Sequence, residues 1–126
     1  MSKTKLLDAF APGCPIRNII SRFSDKWALL VINELATKGK RRFNQIHDGI
    51  PDISKRMLSV TLKRLMEDAL IKRTEYNTVP PTVEYALTEM GESFVPLLIN
   101  MIEWGLQHQD AIITHRAKEI NTSDKK

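Results

Sequence analysis

Four stretches of the chain repeat their apolar residues every three or four positions, the period of an amphipathic helix. The first follows "APGCP" and carries Ile16, Ile19, Ile20 and Phe23; Pro15 suits a first helical position, which makes Cys14 the cap. The second is expected from Lys26 to about Ala36, opened by Ser24 or Asp25, with Trp27, Leu30, Val31 and Leu35 as its buried stripe. "TKGK" ends it, and "KRRF" fits one short strand. Next comes a short helix, "NQIHDG", with Ile46 turned inward, and Gly49, Pro51 and Asp52 mark a turn after it. The third stretch, 54–68, is capped by Ser54. Steps of 100° per residue put Leu58, Leu62, Leu65 and Ala69 on one face and Arg56, Ser59, Val60, Lys63 and Glu67 on the other.

Two stretches alternate instead. "LIKRTEYN" and "TVEYAL" flank "NTVPP", which reads as a hairpin over 71–87 with a proline-bearing tip. Thr88 then caps a long helix, expected over 88–116, whose stripe holds Phe94, Leu97, Leu98, Met101, Ile102 and Trp104. The stripe fades after Leu106, Ile112 and Ile113 extend it, and Pro96 inside it should produce a kink. Repeats and linkers are absent, so residues 1–126 read as one domain: N-terminal helices over 14–36, a helix-turn-helix with its hairpin over 41–87, and the long helix. The fold class is mainly α with a small β-hairpin (α+β). A helix-turn-helix followed by a two-stranded wing is the outline of a winged-helix domain that places its second helix in the DNA major groove.

The charges of the third helix are reversed with respect to its dipole. Lys55 and Arg56 occupy the positive first turn, and Glu67 and Asp68 the negative last turn. Each such placement costs about 0.3–1 kcal/mol at a surface. A phosphate array against the first half of the helix would explain it, because the cations regain that energy there and the helix start attracts phosphate itself. Arg41 and Arg42 in "KGKRR", and Lys72 and Arg73 on the first wing strand, supply two further basic clusters. The expected base contacts are Arg56, Ser59 and Val60. Ser54, Lys55, Lys63 and the two clusters complete the DNA-contact set, mostly on the backbone.

Composition agrees. Lys and Arg number 19 against 15 Asp and Glu, and the pI is near 9.3; part of the excess lies in Lys3, Lys5, Lys125 and Lys126 at the ends. The single cysteine rules out an internal disulfide. "MSKTKLLDAFAPG" lacks a signal-peptide run and no stretch is long and apolar enough to span a membrane, so a cytoplasmic location is expected. His47, His108 and His115 show no metal-ligand spacing and no phosphate-binding glycine loop exists, so neither an enzyme, a metal site nor a cofactor is expected. A protein-binding winged helix gives no reason for Arg56 and Lys63 on one face, and the wing lacks an aromatic platform for RNA. An apolar stripe the length of Phe94 to Leu106 would be an association site if uncovered. A two-fold dimer would hold its recognition helices roughly 34 Å apart and read a pseudo-palindrome.

Three segments carry a family resemblance: "CPIRNIISRFSDKWALLVINEL", "RRFNQIHDGIPDISKRMLSVTLKRLMEDALIKRTEY" and "VPPTVEYALTEMGESFVPLL". Their Cys-Pro opening, Lys26-Trp27 pair, Arg42-Phe43 step, Ile53-Ser54 start with Leu58, Pro-Pro and Val-Glu-Tyr wing, and Leu87-Thr88 with Gly91 resemble the HxlR family of bacterial winged-helix transcription regulators, relatives of the MarR group. The resemblance spans roughly residues 14–105. It implies a cytoplasmic homodimer on operator DNA, more often a repressor, with the first helix (Ile16, Ile20) joining the long last helix in the interface. Where the family often has Arg or Lys after the two wing prolines, this chain has Thr82.

Cys14 lies at a helix start with Arg17 one turn on, a setting that favours the thiolate. In several members of the resembled family a cysteine at the matching position senses oxidants or electrophiles, sometimes through a disulfide to a second cysteine of the partner. Here a Cys14–Cys14 bridge, a mixed disulfide and alkylation stay open beside an inert cap residue. A small apolar effector near Trp27, Phe94 and Trp104 is the alternative means of control; plain core packing is the other reading of those three.

Overall fold

A computed structural model describes residues 11–124 and, before them, Lys3 and Asp8. Lys5, Lys125 and Lys126, to which part of the basic excess was assigned, lie outside the described residues. Among these residues the order is α1 (Pro15–Ser21), α2 (Lys26–Lys38), α3 (Phe43–Gly49), α4 (Lys55–Glu67), β1 (Ile71–Tyr76), β2 (Thr82–Leu87) and α5 (Glu89–Asp124). The chain divides into two compact units, residues 1–93 and 94–126.

In the first unit α2 is the central helix. Asp25 caps it by accepting the Trp27 N–H at 3.0 Å, and Gly39 closes it with φ 77°. It packs against α3, α4 and β2. Contact on three sides widens its buried arc beyond one stripe. Ala28, Val31, Ile32 and Leu35 are buried, and Glu34 with them, while Trp27 and Leu30 of the predicted stripe are only half-buried. The rest of this core comes from Ile46, Ile50, Ile53, Leu58, Leu62, Leu65, Leu70, Ile71 and Leu87.

Leu58, Leu62 and Leu65 form the inner face of α4 as expected, but Ala69 does not join them. The helix stops at Glu67, and Ala69 is exposed with a left-handed φ of 59°. The Leu70 N–H then bonds the Leu65 carbonyl and the Ala69 N–H that of Met66, both at 3.0 Å. This is the Schellman closure, with alanine where glycine is usual. It turns the chain so that Leu70, not Ala69, enters the core.

β1 and β2 pair antiparallel from Ile71↔Leu87 to Tyr76↔Thr82. The strand expected at "KRRF" shrinks to a single bridge, Arg41 with Tyr85, closed by N–H to carbonyl bonds of 2.9 and 2.7 Å. Arg42 follows at once as the cap of α3, which leaves no length for a strand.

The start of α5 is stitched to the end of α4. The Thr88 hydroxyl donates to the Ala69 carbonyl at 2.6 Å and accepts the Gly91 N–H at 3.1 Å, and the Thr88 N–H donates to the Leu70 carbonyl at 3.0 Å. The backbones are so close that a Cβ at Gly91 would overlap the Leu70 carbonyl oxygen. α5 itself runs eight residues beyond the expected end at 116, with Pro96 inside it. Gly91→Ala is expected to lower the unfolding free energy by about 1–3 kcal/mol through this overlap. Urea unfolding measures it, and an unchanged midpoint would mean that the first turn of α5 shifts without penalty.

Candidate nucleic-acid interface

The turn between α3 and α4 is pinned from several directions. Gln45 accepts the Arg42 N–H at 3.0 Å and opens α3. His47 Nε2 donates to the Ile53 carbonyl across the turn at 2.9 Å. Ile46, Ile50 and Ile53 are buried beneath it. Gly49 lies against the carboxylate of Glu34, which is only 8% exposed, and any side chain at 49 would strike it. Ser54 then accepts the Met57 N–H at 3.0 Å and caps α4 as predicted. The start of α4 is therefore fixed by backbone and core, not by its charges.

Opposite the buried leucines, Ser54, Lys55, Arg56, Ser59 and Lys63 are exposed and Val60 is half-buried. Among the described residues, ion pairs form at Arg22, Lys38, Arg64 and Arg73, but not at Lys55, Arg56 or Lys63. The other end of α4 differs. Arg22, which follows α1, reaches Asp68 at 3.3 Å and Glu67 at 3.8 Å, and Arg64 faces Asp25 at 3.9 Å. The acidic end is thus engaged from within, while the basic end is left to solvent. Sequence reasoning missed Arg22: it lies 45 residues from Glu67, and no spacing rule joins them.

The wing gathers some of its predicted cations and separates others. Arg73 pairs with Tyr85 in the β1–β2 register, and Arg41 pairs with Tyr85 from the other side. Arg73, Tyr85 and Arg41 therefore form a row across the sheet, with the two arginines about 10 Å apart by strand spacing. Arg73 Nη1 is 3.7 Å from Glu75, and Arg41 is half-buried, its Nε out of solvent and without a hydrogen-bond partner among the described residues. Lys72 alternates to the opposite face. Arg42 is exposed at the α3 cap. At the tip Val79 is fully exposed. Thr78 donates to the Pro80 carbonyl at 2.7 Å and lies 3.1 Å from the Thr82 hydroxyl, so Thr82 braces the tip.

Two apolar surfaces accompany this face. α1 buries none of its side chains; Ile16 is 49% and Ile20 40% exposed. In the second unit Leu97, Met101, Ile102 and Trp104 are exposed, Phe94 is half-buried and Leu98 is buried in the single chain. Trp104 stacks on His108 with centroids 4.5 Å apart. Cys14 is the half-buried N-cap of α1, and its thiol makes no cap hydrogen bond. Among the described residues no three His, Cys, Asp or Glu side chains gather as a metal site, and no helix is long and apolar enough to cross a membrane.

Comparison with known proteins fits this geometry. Residues 22–113 match the HxlR-like helix-turn-helix family. The HTH-type transcriptional regulator YybR of Bacillus subtilis (strain 168) is 33% identical over 120 residues, 95% of each chain. An HTH-type transcriptional regulator of Methanothermobacter thermautotrophicus is 44% identical over 92 residues, 73% of this chain and 70% of that one. Among solved structures, the redox regulator HypR in its reduced form is 34% identical with a TM-score of 0.73, over 79% of this chain and 98% of that one. The reduced form of the regulator YodB from B. subtilis is 33% identical with a TM-score of 0.67, over 75% and 92%.

Ser54 separates stability from recognition. Ser54→Ala should cost about 1 kcal/mol of stability through loss of the cap, whereas Ser54→Asp keeps a cap of equal quality. The added carboxylate of Ser54→Asp should nevertheless weaken binding to duplex DNA by about tenfold, by repulsion from phosphate. Urea unfolding and duplex titration of both variants check this, and undiminished DNA affinity in Ser54→Asp would place the α4 start away from the backbone.

Proposed function

The chain belongs to the HxlR-like helix-turn-helix family, and from that premise we propose that it is a DNA-binding transcription regulator, a homodimeric repressor on a pseudo-palindromic operator. One observation carries the reading: Lys55, Arg56 and Lys63 stand exposed, and without an ion pair among the described residues, on the outer face of a helix whose start is fixed by its cap and core. The energy that Lys55 and Arg56 lose against the helix dipole is returned by an anionic partner, and a phosphate array of major-groove geometry supplies one, with Lys63 further along the same face. Arg56, Ser59 and Val60 read base edges. Lys55, Lys63, Arg41, Arg42 and Lys72 hold the backbone, joined by Arg73 once it leaves Glu75.

The dimer rests on the exposed apolar residues of α1 and α5, among them Ile16, Ile20, Leu97, Met101, Ile102 and Trp104. Each helix presents a row of exposed large apolar side chains, the kind of surface that marks an association site. The redox branch of the reading rests on Cys14, exposed enough to react and placed at the start of α1, and on the likeness to HypR, which is described as a redox regulator. Oxidation or alkylation of Cys14 alters the surface on which the dimer is built, and so the spacing of the two α4 helices. A mixed disulfide or a Cys14–Cys14 bridge between protomers serves, since the chain has one cysteine.

The test is titration of the reduced protein with the duplex upstream of its own gene and with a scrambled duplex, at several salt concentrations. Two chains per native duplex are expected, with log K falling steeply against log salt. Arg56→Ala should lose about 1–3 kcal/mol on the native duplex and much less on the scrambled one. Equal loss on both would make Arg56 a backbone contact, and equal weak binding by the unaltered protein would turn the basic face toward another partner. Cys14→Ser should retain DNA affinity and no longer release the duplex on treatment with diamide or hypochlorite. Release that persists in Cys14→Ser would remove the thiol from the mechanism.

A further inference from the structure

Behind α4, between the end of α1 and the start of α2, lies a cavity of about 340 Å³, within the range that holds small molecules. Two guanidinium groups, Arg22 and Arg64, and two carboxylates, Asp25 and Asp68, line it. They satisfy one another incompletely. Arg22 Nε is 3.3 Å from Asp68 and Arg64 Nη1 is 3.9 Å from Asp25. A full guanidinium–carboxylate contact is about 2.7–2.9 Å and often bidentate. Each arginine therefore keeps unused N–H donors, and each carboxylate keeps acceptor capacity; Asp25 uses only one oxygen as the α2 cap. All four side chains are between 31% and 53% exposed, so a solute reaches them without unfolding. Ala28 and Leu65 contribute apolar wall, and a second cavity of about 210 Å³ shares Arg22 and Asp68 and is otherwise mainly apolar.

The balance of charge selects the ligand. A bare anion meets two carboxylates here, and a bare cation meets two guanidinium groups. A molecule carrying both charges a few ångströms apart satisfies all four. We propose that this cavity is a binding site for a free α-amino acid with an apolar side chain. Its carboxylate takes the spare donors of Arg22 and Arg64, its ammonium group lies between Asp25 and Asp68, and its side chain enters the adjoining apolar cavity. The ligand would rest against the inner side of α4 and bear on the pairs that hold the helix's last turn. The site is read without DNA, so its failure and that of the DNA-binding reading are separate results.

The experiment is calorimetric titration of the full chain, reduced and without DNA, supported by shifts in unfolding midpoint. The probes are glycine, L-alanine, L-leucine and L-phenylalanine. 4-Methylpentanoate and isopentylamine accompany them, because they keep leucine's side chain and lack its ammonium and carboxylate groups respectively. Saturable binding of leucine or phenylalanine is expected, weakened by about tenfold or more in each truncated analogue and in Arg64→Gln and Asp25→Asn. Asparagine caps a helix as well as aspartate does, so Asp25→Asn removes charge and keeps the fold; far-UV circular dichroism verifies it. Absence of binding by all four amino acids overturns the proposal, as does unchanged affinity in both variants. An analogue that binds as tightly as leucine overturns the zwitterion assignment.

Discussion

A helix that carries cations at its positive end has to be held by something other than its own charges. α4 meets that constraint in three ways. Leu58, Leu62 and Leu65 are buried to within a few per cent, and truncating such a side chain ordinarily costs 2–5 kcal/mol. The Ser54 cap contributes about 1 kcal/mol. The two misplaced cations together cost no more than about 2 kcal/mol at an exposed site. Packing therefore outweighs electrostatics severalfold, and the outer face is free to carry whatever charge its partner requires. Arg22 acts at the other end, where Glu67 and Asp68 would otherwise face the negative helix terminus with Arg64 as the basic residue of the last turn. These pairs are one-third to half exposed, so they orient the last turn more than they stabilise it.

The same economy governs the wing. The hairpin has two strands, too few to be stable alone in water. It is held at its base, where Ile71 pairs with Leu87 in the core, and at its side by the Arg41–Tyr85 bridge. The Schellman turn at Ala69 and the Thr88 bonds place that base directly after α4. The wing and the outer face of α4 thus share one rigid support, and a change in the last turn of α4 reaches β1 within three residues.

Local periodicity made most of the elements legible: the helix-turn-helix, the hairpin and the caps at Ser54 and Thr88 follow from short-range pattern, which narrows the α2 cap to Ser24 or Asp25. What stayed hidden depends on the third dimension. Trp27 and Leu30 looked like core because a 3.6-residue stripe has one centre, whereas α2 is packed on three sides and its arc is set by its neighbours. Ala69 continued the leucine stripe in sequence, but a left-handed residue ended the helix first, and alanine gives no signal for that conformation. Lys72 and Arg73 read as one basic cluster because they are adjacent, yet adjacency in a strand means opposite faces. Arg22 was invisible as a partner of Asp68 for want of any sequence relation between them.

α1 is the element with least to hold it. Seven residues are too few for a helix to persist in water on its own propensity, and none of its side chains is buried. The pairs from Arg22, just beyond its end, are worth at most about 1 kcal/mol each at such exposure. The order of α1 must then be completed by whatever covers Ile16, Ile19 and Ile20. In the proposed dimer that cover is a second protomer, and Cys14 sits at the first residue of the segment it orders. A substituent on that sulfur need not push on α4 directly. In the proposed switch, removing the cover from a helix that cannot stand alone would free Arg22, and with it the last turn of α4.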